Sequence, residues 1–449
     1  MSSAILFSKF CVISPDESGR IQVCPEGYVV VFKDRIVYVG GSREAALLSL
    51  REAAEEVGLS GVSYDEYNGR DRILLPCFSN SHSHLPMTLF RNRADDRAFH
   101  EWLFQCVFPM EERLRDEDVY YGSLLGIAEM VNSGIGASAD MYMMSETRAA
   151  AALDAGFRLN ICKEGVRRLP DGSRCVDAEG VLGFKKDYHG KGNGLLRTSM
   201  EVHSVYLYEK ELYPSLGVLA SEVDISVQVH VSETQREVEE AWRVFDCSPV
   251  EVLEGAGLLD QPCIAAHGVW LDDTDRQILA SKNVTVVHNP ASNLKLTSGF
   301  CDVVALEKAG VRVALGTDGC ASNNNTDMFM EMRLASLLAK GGTMDATALS
   351  AECVLDMATR RGYLGMGFED CGRLEAGMKA DLQILNYACP AMWPLGNPVP
   401  ALVYSGGISA VESVMINGRF VKYKGNLTTI DLEKVMRETK ARSDYLAKG

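Results

Sequence analysis

The central part of the chain, from residue 73 to residue 370, alternates short apolar runs with longer segments of helical periodicity. Eight such runs alternating with helices predict a closed (β/α)8 barrel of the α/β class. The competing open, doubly wound sheet usually carries a glycine-rich phosphate loop after its first strand, and none is found there. The predicted strands cover 73–80, 136–141, 158–164, 195–203, 225–231, 262–267, 284–288 and 311–318, and the predicted helices include 120–133, 209–222, 233–244, 273–281 and 326–340.

Both ends of the chain have a different pattern, in which short β-prone runs are separated by turns. One helix is predicted at 43–57 and another at 432–446, and Asn417-Gly418 is typical of a two-residue hairpin turn. We therefore expect residues 1–72 and 371–449 to form a smaller composite domain beside a barrel domain of residues 73–370. The predicted strands of the ends cover 21–23, 28–32, 35–39, 380–385, 411–416 and 419–422.

The composition narrows the range of partners. The 449 residues include 45 Lys and Arg against 61 Asp and Glu, and the net charge of −16 disfavours nucleic acid. No apolar stretch reaches the roughly 18 residues of a spanning helix, and the N-terminal apolar run, which no basic region precedes, is more typical of a strand than of a signal peptide. The 13 cysteines include no C-x-x-C pair and are typical of reduced thiols. We expect a cytoplasmic protein with a small-molecule substrate and no membrane partner.

Six of the eight histidines fall at or just beyond the end of a predicted strand. The carboxyl ends of barrel strands meet on one face, where active sites are built. Asp318 occupies the same kind of position, whereas His100 and His189 are interpreted as surface residues. The six strand-end histidines are His82, His84, His203, His230, His267 and His288.

A metal site is predicted from the spacing of these residues. His82 and His84 are two apart, so strand geometry directs both imidazoles to the same side. This pair alone is weak evidence, but His230, His267 and Asp318 lie at later strand ends. Nitrogen and oxygen donors without thiolate suit one catalytic Zn²⁺, with Fe²⁺ or Mn²⁺ left open. The alternative of buried core histidines would have to hold independently at several strand ends.

Glu233 follows His230 by three residues, near the predicted barrel mouth. A carboxylate beside a metal site can take a proton from water and pass it on. The alternative interpretation is a glutamate that stabilises a helix N-terminus.

These residues lie in segments that resemble the amidohydrolase superfamily, and more narrowly the methylthioadenosine/S-adenosylhomocysteine deaminases near the cytosine deaminase and triazine chlorohydrolase branch. The last of the segments below is similar to the family's signature for a small β-sandwich built from both chain ends. The segments are NSHSHLPMTLFRN (80–92), EWLFQCVFPMEERL (101–114), HVSET (230–234), AAHGVWL (265–271), VHNPASNLKL (287–296), LGTDGCASNN (315–324) and AGMKADLQIL (376–385).

The resemblance implies a role for each matching residue. Glu233 would shuttle protons, and His267 would orient the attacking water or the tetrahedral intermediate. Asp318 would also act as a base. A homodimer or homotetramer is implied as well. The implied metal ligands are His82, His84, His230 and Asp318, and the implied substrate contacts are Trp102, Glu111, Arg174, His203 and His288, with Glu111 on the ribose hydroxyls.

The chain departs from the family at two positions. Cys77 stands where a small residue usually precedes the first metal motif, and we expect it to alter packing only. Glu164 stands near the place where the family often has an arginine that holds the amino-acid tail of S-adenosylhomocysteine, and Arg174 is the best match to a second family arginine.

We therefore expect a metal-dependent deaminase of methylthioadenosine, S-adenosylhomocysteine or adenosine that releases ammonia. One alternative is a hydrolase of guanine, cytosine or a chlorotriazine, since the metal cluster does not separate these. Another is a non-catalytic scaffold or binding protein on a hydrolase fold, although such relatives usually lose metal ligands.

Overall fold

The computed structural model describes residues 4–447 and contains a barrel of eight parallel strands surrounded by helices. Each barrel strand is hydrogen-bonded to the next barrel strand along the chain. This arrangement confirms the predicted (β/α)8 barrel. The barrel strands within the described residues are Phe78–Ser83, Ile135–Asp140, Arg158–Glu164, Leu196–Glu201, Ser226–Val231, Cys263–His267, Val284–His288 and Arg312–Leu315.

Hydrogen bonds outside the sheet ladder close the barrel between its last and first strands. The backbone N–H of Asp318 donates to the carbonyl of His82 at 3.0 Å. The Asn80 side chain accepts from the Thr317 backbone N–H at 2.9 Å and donates to the Thr317 hydroxyl at 2.8 Å. The turn after the last strand is thereby held against the first strand, which carries the H-x-H motif.

Helices cover the outside of the barrel, and a further helix lies in the C-terminal part of the chain. The predicted helix at 432–446 forms as Leu432–Leu446, and its Arg442 lies over the Tyr121 ring of the helix Asp116–Asn132, 4.8 Å from the ring centroid. The longer helices are Arg43–Glu56, Asp116–Asn132, Ser145–Ala155, Ala178–Tyr188, Leu212–Val223, Gln235–Phe245, Pro249–Gly255, Asp273–Ser281, Pro290–Lys295, Val303–Ala309, Met328–Thr343, Ala351–Asp356 and Leu432–Leu446.

Strands from both chain ends form a second sheet. Its core includes Phe7 and Phe10 from the N-terminal part and Leu382 and Met415 from the C-terminal part. The ends are therefore joined by a shared apolar core. Among the described residues this sheet comprises Ala4–Pro15, Ile21–Phe32, Arg35–Gly40, Tyr64–Asn68, Arg72–Pro76, Leu382–Asn386, Val411–Ile416, Arg419–Tyr423 and Asn426–Leu427.

Two strand predictions were wrong in detail. The runs at 21–23 and 28–32 form one strand, Ile21–Phe32, which pairs with the long first strand through bulges. The run at 73–80 divides instead into two strands of different sheets. Arg72–Pro76 pairs with the chain-end strands, and only Phe78–Ser83 belongs to the barrel.

Cys77 occupies the crossing point between the two sheets and is fully buried. A Cβ on Gly136 would lie 2.6 Å from the Cys77 Cβ, so glycine at 136 makes room for this side chain. Burial raises the pKa of the Cys77 thiol well above its ordinary value, so the thiolate is strongly disfavoured.

Candidate metal centre and active-site cavity

Four predicted metal ligands converge at the carboxyl ends of the first, fifth and eighth barrel strands. His84 Nε2 lies 3.1 Å from Asp318 Oδ1 and 3.4 Å from His230 Nε2. His82 Nε2 lies 3.4 Å from Asp318 Oδ1. The candidate donor atoms of His82, His84 and His230 lie within 4.8 Å of one another, as do those of His82, His267 and Asp318. These separations allow one cation to be shared.

The imidazoles are oriented by hydrogen bonds on their far side. Nδ1 of His84 contacts the carbonyl of Met141, and Nδ1 of His230 lies 2.9 Å from the carbonyl of His203. A carbonyl that accepts a hydrogen bond from Nδ1 keeps the ring proton on Nδ1. The other ring nitrogen, Nε2, then has a free electron pair that can bind a metal. His82 Nε2 is buried and has no hydrogen-bond partner among residues 4–447. The free Nε2 atoms thus fit metal ligation.

Asp318 is held with one carboxylate oxygen toward the histidines. Its Oδ2 accepts hydrogen bonds from the hydroxyls of Ser292 at 2.6 Å and Ser322 at 2.8 Å. Its backbone is left-handed, with φ of 60°, a conformation that costs energy in a non-glycine residue. A Cβ on the nearby Gly316 would lie 2.9 Å from the backbone nitrogen of His82, so only glycine permits this close approach.

Burial keeps two of the ligand histidines neutral, because it lowers the pKa of His82 to about 4 and the pKa of His230 well below its ordinary value. At His84 burial also opposes the charge, but the contacts with Asp318 outweigh it and raise the pKa to about 9. Metals bind the neutral imidazole, so metal binding at neutral pH displaces a proton from His84. Three imidazoles and one carboxylate form a donor set that fits a divalent transition metal.

Glu233 lies beside the cluster, held by three contacts. Its Oε1 accepts a hydrogen bond from the Ser298 hydroxyl at 3.1 Å, and its Oε2 lies 3.9 Å from His267 Nε2. Its backbone N–H donates to Glu237 Oε2 at 2.8 Å. His267 is itself fixed by Asn293 Oδ1, 2.8 Å from Nδ1, and has a left-handed backbone with φ of 77°. The Glu233 carboxylate and the His267 imidazole are therefore both held in fixed positions.

A cavity of about 330 Å³ opens over the cluster. Trp102, Glu111 and His203 line it, as do His267 and Glu233. The Trp102 indole N–H donates to the carbonyl of Ala321 at 3.2 Å, which fixes one edge of the ring. Cavities that bind small ligands have volumes of about 300–1,000 Å³.

Two predicted substrate contacts lie outside this cavity. Arg174 sits on the exposed hairpin Val166–Arg168/Arg174–Val176, where its guanidinium donates to the carbonyl of Leu207 at 2.8 Å. Leu207 lines the cavity, so Arg174 braces the wall from behind. His288 is buried, and it lines a separate small cavity with Pro290 and Phe300.

A protein-family model described as the amidohydrolase family matches residues 73–421. The chain belongs to the amidohydrolase family. It is 42% identical over 373 residues to a 5-methylthioadenosine/S-adenosylhomocysteine deaminase of Acetivibrio thermocellus, covering 82% of this chain and 85% of that protein. It is 37% identical over 422 residues to a 5'-deoxyadenosine deaminase of Methanothermobacter thermautotrophicus, covering 93% and 98%. The crystal structure of an adenosine deaminase from Xanthomonas campestris with bound zinc matches with a TM-score of 0.90 and 30% identity over 99% of both chains.

Sequence reasoning missed several side chains that line the cavity of this amidohydrolase. Glu201 carries a local signal, because it precedes His203 by two residues at a strand end and strand alternation directs both to one side. The apolar contacts Phe108, Tyr206 and Leu296 carry no such signal. They come from separate segments, Phe108 from the short helix Phe108–Glu111 and the other two from loops, and are assembled only by the fold.

Proposed function

We propose that this amidohydrolase is a metal-dependent hydrolytic deaminase of adenosine-type nucleosides, converting the aminopurine to an oxopurine and releasing ammonia. The observation that carries the proposal is the group of Nε2 atoms and Asp318 Oδ1 at the floor of a cavity, with the Glu233 carboxylate beside them. The names of the relatives, which describe deamination of adenosine compounds, support the nucleoside as substrate.

His82, His84, His230 and Asp318 would hold the metal, which when bound supplies Lewis acidity that makes water nucleophilic near neutral pH. Asp318 takes the proton of the attacking water, since its Oδ1 faces the cluster and its Oδ2 is occupied by serine hydroxyls. Glu233 gives a proton to the ring nitrogen next to the amino-bearing carbon.

Burial raises the pKa of Glu233, which favours the protonated acid that this step requires. The carbon then becomes electrophilic, and the bond to oxygen forms as the ring carbon becomes tetrahedral. His267 stabilises the oxygen at this centre through Nε2. The proton that Asp318 took from water then passes to the amino group, the carbon–nitrogen bond breaks and ammonia leaves, while the hydroxyl proton of the tetrahedral carbon returns to Glu233 and leaves the oxopurine.

The remaining cavity residues would bind the nucleoside. Trp102 offers an aromatic surface, Glu111 offers acceptors for the ribose hydroxyls, and His203 offers a ring nitrogen toward the heterocycle. For Arg174 we propose support of the Leu207 wall in place of direct contact, and for His288 packing beneath the site.

We further propose Zn²⁺, one per chain, as the native metal, a cytoplasmic location, purine metabolism as the setting and a homo-oligomeric state. The bound zinc in the Xanthomonas campestris deaminase supports the choice of metal. No helix within residues 4–447 is both long and apolar enough to cross a membrane. The cysteines of the described residues are all free, in keeping with a reducing compartment.

Ultraviolet turnover of a substrate panel by zinc-loaded protein tests the proposal. The panel holds methylthioadenosine, adenosine, 5′-deoxyadenosine, guanine and a chlorotriazine. We expect a spectral shift and stoichiometric ammonia with the adenosine compounds. Turnover of guanine or the triazine alone, or of none of the panel with zinc bound, would overturn the nucleoside assignment.

A further inference from the structure

Two glutamates stand opposite each other at the ends of adjacent barrel strands. Glu164 ends the strand Arg158–Glu164, Glu201 ends the strand Leu196–Glu201, and the parallel register pairs the two residues directly. Both side chains line the active-site cavity. Like charges opposite each other across neighbouring strands destabilise a sheet. A pair of like charges that destabilises the sheet and faces a binding cavity indicates that the two side chains interact with the ligand.

Glu201 has hydrogen-bonding capacity that the protein leaves unused. The residue is 8% exposed, and its Oε2 accepts one weak hydrogen bond from the Cys162 thiol at 3.3 Å. Its Oε1 has no hydrogen-bond partner within residues 4–447. A buried carboxylate is costly until donors or a cation satisfy it. The unpaired oxygen therefore points to a ligand that brings a donor.

The neighbouring cations do not supply this donor. Arg148 is fully buried, and its guanidinium donates to Asp140 Oδ2 at 2.8 Å and to backbone carbonyls, including that of Cys162 at 2.9 Å. Lys163 Nζ lies 3.3 Å from Glu146 and 3.8 Å from Glu164. Among the described residues that line the cavity, none is lysine or arginine.

We propose that Glu164 and Glu201 form an acidic subsite that selects nucleosides whose 5′ substituent is neutral or positively charged and rejects those ending in a carboxylate. This inference rests on the proposed deaminase function. In a cavity of about 330 Å³ a compact substrate keeps its 5′ substituent within about 10 Å, a Debye length, of the pair. The field of the pair therefore acts on a 5′ substituent that stays inside the cavity.

Three nucleosides that differ by no more than two heavy atoms at the 5′ end test the proposal with the zinc-loaded protein. They are 5′-deoxyadenosine as the neutral reference, 5′-amino-5′-deoxyadenosine as the cation and adenosine 5′-carboxylate as the anion. We expect kcat/KM for the anion to be lower than for the neutral compound by a factor on the order of 100, because like-charge juxtaposition is costly. The cation is expected to match or exceed the neutral compound.

The double variant Glu164→Gln with Glu201→Gln tests which residues cause the selection. We expect the ratio of kcat/KM for the anion to that for the neutral compound to rise about tenfold or more once the charges are removed. Glu222→Gln, an exposed residue outside the cavity, is the matched control and should leave the ratio unchanged. Zinc content and the melting temperature show that each variant is folded.

The two proposals fail in distinguishable ways. Absence of turnover on 5′-deoxyadenosine would overturn the deaminase function itself. Efficient turnover of both the neutral compound and the carboxylate by the unmodified protein would overturn only the acidic subsite. If the double variant folds and its ratio of kcat/KM for the anion to that for the neutral compound is unchanged, the subsite is also overturned. If the double variant does not fold, the ranking of the three compounds by kcat/KM in the unmodified protein decides whether the subsite stands.

Discussion

The Ser298 hydroxyl donates a hydrogen bond to Oε1 of Glu233 over 3.1 Å, although the two residues are 65 positions apart. Ser298 follows Thr297, whose backbone is left-handed with φ of 55°. Its own carbonyl accepts the Trp270 indole N–H at 2.7 Å. The preceding turn and the contact with Trp270 thereby hold the Ser298 backbone in place. The Ser298 hydroxyl in turn holds the Glu233 carboxylate toward the cavity.

Replacing Ser298 by alanine should lower kcat about tenfold, because a hydrogen bond to a carboxylate that orients the proton donor is lost. Steady-state kinetics on 5′-deoxyadenosine would measure this, with metal content as a second readout. Ser281→Ala, whose hydroxyl donates only to the Ile278 carbonyl on the helix surface, is the control. Full kcat in the Ser298 variant would show that the bond has no positioning role.

Glu233→Gln should reduce kcat by a factor of about 10²–10⁴, because the amide cannot donate and take back a proton. The metal should stay bound, since Glu233 is not among the proposed ligands. Metal analysis beside turnover separates the two effects. Loss of metal would contradict the shuttle role, and Glu239→Gln, on the exposed face of the next helix, should behave as the unmodified protein.

Removal of the metal by a chelator should abolish turnover, and added Zn²⁺ should restore it. Because the cation binds only the folded chain, free metal at 100 times its Kd should stabilise the protein by about 2.7 kcal/mol. Calorimetry of the metal-free and reloaded protein checks this value, and Fe²⁺ and Mn²⁺ are compared in parallel. Equal turnover with and without chelator would contradict a metal-dependent reaction.

The barrel and the chain-end sheet are joined by a buried ion pair between Arg158 and Asp381. The guanidinium donates to both carboxylate oxygens, at 2.6 and 2.9 Å. Asp381→Asn should lower the free energy of unfolding by about 3–5 kcal/mol, because it leaves a buried cation uncompensated. Chemical denaturation measures the change.

Asp370→Asn is the matched control for this substitution. Asp370 pairs with Arg35 at 3.3 Å in an exposed position, and such pairs contribute about 0–1 kcal/mol. Equal losses of stability in the two variants would contradict the importance of burial.

Selection for a cationic 5′ substituent should increase with pH. Burial, and then repulsion from Glu164, raises the pKa of Glu201 to about 7, so its carboxylate is neutral below and charged above that pH. The ratio of kcat/KM for 5′-amino-5′-deoxyadenosine to that for 5′-deoxyadenosine should therefore rise between about pH 6 and about pH 8. The titratable or charged groups facing Glu201 are Glu164, Cys162, Arg148, His84 and Tyr208.

In Glu201→Gln the same ratio should stay flat over this pH range, since no carboxylate titrates. Titration of groups at the reaction centre changes kcat/KM for both substrates by the same factor. The ratio of the two kcat/KM values therefore does not depend on that titration. A flat profile in the unmodified protein would contradict the prediction.

Local patterns were sufficient for most of the barrel strands and for bringing together the residues of the candidate metal cluster. The alternation of apolar runs depends on neighbours in the chain, and barrel strand ends always meet on one face, so His82, His84 and His230 could be placed together. The run at 73–80 was misassigned because apolar continuity does not encode which partner strands a segment joins. Cys77, at the crossing point, gives no local sign of the change of sheet.

The sequence by itself therefore determined the fold class, the cluster of donors and the candidate proton shuttle. Tertiary structure decided the rest: the serines that orient Asp318 and Glu233, the exclusion of Arg174 from the cavity and the pairing of Glu164 with Glu201. These relationships join residues from separate strands and loops, and they depend on strand register and loop path. Periodicity specifies which face a side chain occupies, whereas only the closed barrel specifies which side chains meet.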